Sequence, residues 1–348
     1  MGEHSFLNRL CARLRSRTEA SRGMLIGPGD DCAILAPPAC PIAATVDTMV
    51  EGVHFRPGWL SLEELGARAA TISLSDLAAM GATPAYLLIA VSSPAEMPIA
   101  DLDRVLDGFA ARSAADGAQV AGGNLSRAPL LTLTVTALGW VEGPCLARKG
   151  ALPGDHLVVT GNLGAAAAAV AEWLAGREPA PALRERFANP SARIAAGRTL
   201  AAAGAHAAID VSDGLLQDLG HLCAASGVGA AVDRERLPRL PEVAALDASG
   251  ADFAASGGED YELVFACPPA IDHELERFSA ALGLELTVIG RCTEAQAGVR
   301  LLAADGTVRE PATRGFDHFR APLGSGTEAA RDAGGEAAVI PDRSGAPR

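Results

Sequence analysis

"LSLEELGARAATISLSDLAAMGATPAYLLIAVSSP", Leu60 to Pro94, holds the transition on which the fold turns. Leu62, Leu65, Ala69, Ile72 and Leu77 recur at helical spacing and form the buried side of a helix that Gly81 and Pro84 stop. The run that follows, "AYLLIAVSSP", is continuously apolar and of strand length. One residue does not belong in such a helix. Asp76 lies between Leu74 and Leu77, where it has no cap to form, and an isolated buried carboxylate is strongly unfavourable.

The same alternation extends in both directions. Phe6, Leu7, Leu10 and Leu14 suggest a short amphipathic helix, and "PIAATVDTMV" reads as a strand ending at Asp47. Downstream, "IADLDRVLDGFAARSAADG" is a helix and "PLLTLTVTALGWV" an alternating strand. Near "RKGALPGD" (Arg148 to Asp155) the pattern restarts with the strand "HLVVT", the alanine-rich helix "GNLGAAAAAVAEWLAG", and the strand, turn and helix of "AHAAIDVSDGLLQDLGHLCAASG". "YELVFACPP" and "LELTVIG" are further strands. Strands and helices alternate in both halves, so the expected class is α/β or α+β in two domains, residues 1–148 and 149–322. Residues 323–348, rich in Gly, Ala, Glu and Arg without periodicity, are expected to be a disordered tail.

Composition narrows the function. The 348 residues carry a formal net charge of -13, which disfavours nucleic acid and anionic membrane surfaces as partners. Seven cysteines are scattered with no C-x-x-C, against a disulfide framework or a thiolate zinc site. No secretory signal or membrane-spanning run is present, and the expected location is the cytoplasm. A P-loop is absent, and "TGNLGAA" lacks the dinucleotide spacing. "GGNLSR" (Gly122 to Arg127) and "LARKG" (Leu146 to Gly150) offer backbone N–H groups and cations for phosphate.

The acids are the informative residues. Asp30 and Asp31 follow a Gly-Pro-Gly turn in "IGPGDDCAIL", Asp47 ends a strand, Asp76 interrupts a helix, and Asp210 and Asp213 sit where a strand runs into a helix. Singly, each except Asp76 has an ordinary reading as a turn or cap residue. As a set, with few well-placed His and no Cys pair, they point to a multinuclear oxygen-ligand site suited to Mg²⁺, the usual way to handle nucleotide phosphates.

With these segments in hand, the chain resembles the thiamine-monophosphate kinase family, within the ATP-binding synthetases that include aminoimidazole ribonucleotide synthetase and selenophosphate synthetase. The carriers are "GPGDDCAIL", "VDTMVEGVHF", "SLSDLAAMGATPAYL", "AGGNLSR", "ARKGALPGD", "IDVSDGLLQDLGHL", "SGGEDYELVF" and "GFDHF", in the family's order from Gly27 to Phe319. The resemblance implies a synthetase-type fold whose N-terminal domain binds ATP and Mg²⁺ and pairs with a second copy into a dimeric barrel, followed by a C-terminal α/β domain. It implies phosphorylation of thiamine monophosphate to thiamine diphosphate by ATP with several Mg²⁺ ions, by direct in-line transfer. On the family's motifs, Asp30, Asp31, Thr45, Val46, Asp47, Asp76, Asn124, Asp210 and Asp213 fall at metal positions. Gly123, Asn124, Arg148 and Ser212 fall at ATP positions, and His54, Glu259 and Phe316 at positions for the thiamine part. The family usually has Asp where this chain has Asn124, which removes one ligand charge. No general base is assigned, because the acceptor is already a phosphate oxygen. The alternatives are an ATP-dependent synthetase or cyclo-ligase of the same fold, and a non-catalytic thiamine-phosphate or nucleotide binder with a weakened metal site.

Overall fold

A computed structural model describes residues 3–16, 23–248, 252–311, 313, 315 and 316. The tail expected to be disordered lies outside the described residues. The first half comprises α1 (Glu3–Ser16), β1 (Met24–Ile26), β2 (Ile34–Leu35), β3 (Ile42–Val50), α2 (Leu62–Ala79), β4 (Thr83–Ser93), α3 (Ile99–Ala115), β5 (Gln119–Arg127) and β6 (Thr132–Trp140). The second comprises β7 (His156–Thr160), α4 (Ala165–Leu174), α5 (Pro181–Ala188), α6 (Ile194–Ala202), β8 (Ala207–Asp210), α7 (Leu215–Ser226), β9 (Val228–Asp233), α8 (Pro241–Asp247), α9 (Phe253–Ser256), β10 (Leu263–Cys267), α10 (Asp272–Leu282), β11 (Leu286–Glu294), β12 (Val299–Leu302) and β13 (Val308–Arg309).

α2 is the axis of the molecule. Ser61 accepts the Glu64 N–H at 3.1 Å and donates its own N–H to the Glu64 carboxylate at 2.7 Å, a reciprocal capping box. The helix stops at Ala79, and Gly81 turns the chain at φ 69°. The following strand begins at Thr83, so Pro84 lies inside it rather than before it. It is accommodated because the register against β6 slips between Pro84 and Tyr86. β3 likewise runs past Asp47 to Val50, because pairing with β6 continues to Val50 opposite Thr132.

The first sheet has the order β3-β6-β4-β5, antiparallel except where β4 meets β5. It is open, with β3 and β5 at its edges, and no closed barrel forms among the described residues. The second sheet, β13-β12-β9-β11-β7-β10-β8, is also mixed, parallel only between β12 and β9. Both halves are therefore α+β.

α2 is buried on nearly every side, including at Arg68, Thr71, Ser73 and Ser75. α3 crosses it so closely that a Cβ on Gly66 would stand 1.8 Å from the Val105 carbonyl oxygen. α6 reaches it through Gly197, whose Cβ would meet the Ala78 oxygen at 2.0 Å. An amphipathic reading of this segment identified one buried face. Packing between two sheets buries the others, and that is why polar side chains on this helix have work inside the molecule.

Candidate active site

Three acids come together where α2 passes between the sheets: Asp47 from β3, Asp76 from α2 and Asp210 from the end of β8. Burial pushes the Asp47 carboxyl up to about 6, with the Asp76 charge adding to the effect and the nearby Ser73 hydroxyl opposing it, and among the described residues the buried Asp47 Oδ2 makes no hydrogen bond within 3.5 Å. Burial also raises Asp210, again reinforced by Asp76, although the Ser75 hydroxyl donates to it at 2.8 Å. Thr45, two residues before Asp47 on the same strand face, donates its hydroxyl to Asp76. Carboxylates crowded in this way are the donor set a hard cation needs. Among the described residues no three His, Cys, Asp or Glu side chains stand close enough to hold a single ion as they are.

The strand-to-helix turn after β8 is built around an acid the sequence reading did not select. Asp218, in the first turn of α7, accepts the N–H groups of Ser212, Asp213 and Gly214, each at 3.0 Å. Burial, then the charge of Asp213, raises its carboxyl to about 7, against the pull of those three donors. Gly214 at φ 129° lies so close to the Ser256 carbonyl oxygen that a Cβ would stand 2.6 Å from it. Ser212 and Asp213 are thus carried on a turn fixed from below. Phe316 is pinned beside it: its N–H donates to the Asp213 carbonyl at 2.9 Å, and Gln217 donates to the Phe316 carbonyl at 2.7 Å, while the residue is 49% exposed.

The "GGEDYEL" segment runs beside the same turn, with the Glu259 N–H donating to the Ser212 carbonyl at 2.7 Å and Tyr261 N–H to Val211 at 2.8 Å. Its acids point in different directions. Asp260 accepts the Gly164 N–H at the start of α4 at 2.7 Å, and burial raises its carboxyl far above the usual range. Glu262 is buried against Arg193 and the Thr160 hydroxyl. Glu259, at φ 71°, faces the side of the acid cluster and takes an ion pair from Arg68. Arg68 is fully buried and was not selected from the sequence. An arginine set between alanines two turns before Asp76 was the available signal.

The remaining residues lie elsewhere. Asp30, Asp31, Gly123 and Asn124 line a cavity of about 490 Å³ walled by Leu10, Leu14, Leu106 and Phe109. "GGNLSR" lies in strand β5, and Gly123 is required there because a Cβ would stand 2.1 Å from the Ile89 oxygen of β4. Val46 is exposed on the edge strand. His54 closes a tight turn, receiving the Val50 N–H on Nδ1 at 3.0 Å. Arg148 is exposed, its carbonyl held by the Ser226 hydroxyl at 2.8 Å. Nothing in the described hydrogen bonds joins the Asp30–Asp31 pair to Asp76.

The model of the AIR synthase related protein N-terminal domain matches residues 29–141, and that of the C-terminal domain matches residues 153–302. A thiamine-monophosphate kinase of Salmonella typhimurium is 37% identical over 331 residues, covering 92% of this chain and 99% of that protein. The crystal structure of thiamine-monophosphate kinase from Stenotrophomonas maltophilia K279a superposes with a TM-score of 0.78 at 39% identity, covering 86% of this chain and 96% of that one. The structure of AaThiL complexed with AMPPCP and TMP gives 0.71 at 30% identity, covering 91% and 97%. Matched along almost its whole described length in sequence and in fold, the chain belongs to the thiamine-monophosphate kinase family.

Proposed function

We infer that the chain transfers the γ-phosphoryl group of ATP to thiamine monophosphate, giving thiamine diphosphate and ADP. The observation that carries this reading is the end-to-end match to thiamine-monophosphate kinases, one of them a complex with AMPPCP and TMP. A phosphate oxygen of thiamine monophosphate attacks the γ-phosphorus, a new P–O bond forms, and the bond to the β,γ-bridging oxygen breaks as ADP departs. No protein nucleophile is needed, since catalysis of this transfer consists of positioning and charge neutralisation.

Mg²⁺, when bound, neutralises phosphate oxygens and orients them. Asp47, Asp76, Asp210 and Asp213, with Thr45 and the Val46 backbone, would hold it on one side of the site, and Asp30, Asp31 and Asn124 on the other. The burial of Asp47 beside Asp76, with no hydrogen bond to its Oδ2 within 3.5 Å among the described residues, supports this assignment. Gly123, Asn124, Arg148 and Ser212 are assigned to ATP, and His54, Glu259 and Phe316 to the thiamine part. An exposed aromatic residue and an acid beside a fixed turn suit a thiazolium and an aminopyrimidine. Residues 1–148 are assigned as the nucleotide and dimerisation domain, residues 149–322 as the second domain, and the working unit as a cytoplasmic homodimer.

Steady-state conversion of thiamine monophosphate to the diphosphate across a Mg²⁺ titration tests this reading, with Asn124→Asp run in parallel. Native turnover that saturates in both substrates and vanishes without Mg²⁺ is the expected result. Silence from both proteins overturns it.

A further inference from the structure

We propose that Arg68 is a positioning residue for Glu259 and that it determines what Glu259 recognises. The proposal deepens the function above and rests on the reading that Glu259 meets the thiamine part of the substrate. The Arg68 side chain is completely buried on α2. Its guanidinium lies over the Phe187 ring at 4.1 Å and near the Tyr261 ring at 5.5 Å, donates to the Phe187 carbonyl, and gives its other amino group to Glu259 Oε2. The Tyr261 hydroxyl donates to the same oxygen at 3.3 Å.

This geometry divides the two oxygens of one carboxylate. Oε2 is committed to Arg68 and Tyr261, while Oε1 has no hydrogen bond among the described residues and the side chain remains 27% exposed. The guanidinium, stacked on Phe187 and bonded to its carbonyl, holds Glu259 Oε2 in place before any ligand arrives, while its own buried Nε has no partner among the described residues. Charge points the same way. Glu259 stands within electrostatic range of Asp47, and an unpaired carboxylate there would add to an already crowded set of acids. Paired with Arg68, Glu259 presents itself as a charge-compensated acceptor. Such a group selects a neutral N–H donor, as on the amino group of an aminopyrimidine, over a ring cation, whose attraction would be largely cancelled by the guanidinium behind it. Recognition of the cationic thiazolium is then left to other groups.

Steady-state kinetics of Arg68→Lys and Tyr261→Phe test this, with thiamine monophosphate and with its analogue bearing a carbonyl oxygen in place of the pyrimidine amino group. The wild type is expected to favour the natural substrate over the analogue in kcat/KM by about tenfold or more. Arg68→Lys keeps the charge but loses the fork. It should raise KM for thiamine monophosphate about tenfold, leave KM for ATP within about twofold, and shrink the discrimination between the two acceptors. Tyr261→Phe should move in the same direction by a smaller factor. Thermal melting of each variant separates a binding defect from misfolding. Equal loss in both KM values, or unchanged discrimination in an active Arg68→Lys enzyme, overturns the proposal. A wild type that does not turn over thiamine monophosphate overturns the function itself, and this inference with it.

Discussion

Ser75 on α2 donates its hydroxyl to Asp210 at the end of β8, 2.8 Å away, so an acid carried by the seven-stranded sheet is steadied by the helix that packs on the four-stranded one. Asp210 is buried, and Ser75 is completely so. Replacement by alanine leaves a carboxylate oxygen without that donor. Ser75→Ala is expected to lower stability by about 1–3 kcal/mol and to reduce turnover, read by urea denaturation and steady-state kinetics. A variant as stable as the wild type would show that the bond contributes nothing.

Without metal, stability should fall as pH rises. Burial holds the folded-state Asp47 carboxyl up to about 6 and Asp218 up to about 7, against an ordinary value of 3.8, and Asp210 moves in the same direction. Between those values the folded chain binds more protons than the unfolded one, so unfolding free energy decreases with pH across about pH 4 to 7. Melting temperatures in EDTA should therefore drop from about pH 4 to 7, and excess Mg²⁺ should raise them and flatten the slope by replacing protons as counter-charge. A melting temperature that climbs with pH in EDTA would contradict this.

Asp218→Ala removes the acceptor of three backbone N–H groups in the turn that bears Ser212 and Asp213. The expected cost is about 2–3 kcal/mol, with kcat falling further than the loss of folded protein explains. Asp218→Asn, which retains one oxygen, should lie between the two. Equal kcat per folded molecule in all three proteins would reduce Asp218 to a purely structural part.

Two glycines in helices should respond oppositely to alanine. Gly66→Ala forces a Cβ to 1.8 Å from the Val105 oxygen, and backbone on both helices must move, for a loss of about 3 kcal/mol. Gly220 in α7 has nothing within 4 Å of its would-be Cβ, so Gly220→Ala should stabilise by about 0.5–1 kcal/mol. Chemical denaturation of the pair checks the α2–α3 crossing directly.

The acids of the candidate site were legible in the chain because carboxylates are conspicuous in apolar surroundings. Asp47, Asp76 and Asp210 stand in segments otherwise built for burial, and they do converge. Asp218 and Arg68 were not legible for opposite reasons. Asp218 looks like an ordinary first-turn acid favoured by the helix dipole, and nothing local shows that it gathers a turn beneath it. Arg68 looks like a surface cation, since arginine is seldom completely buried. The "GGEDYEL" stretch shows the same limit, because its acids go to Arg68 on α2, to a helix terminus and to a buried ion pair with Arg193.

By itself, the sequence determined many of the elements, a two-part alternation of strands and helices and the residue types of the candidate site, because side-chain periodicity, caps and turn glycines act over a few residues. Only the tertiary structure decided where β3 stops, how the strands pair and hence that both halves are α+β, and which oxygen of Glu259 is spoken for. Those outcomes depend on groups far apart in the chain: Arg68 meets Glu259 across 191 positions, and Ser75 meets Asp210 across 135. A buried charge finds its partner only when two sheets close on the helix between them, and no local pattern records that event.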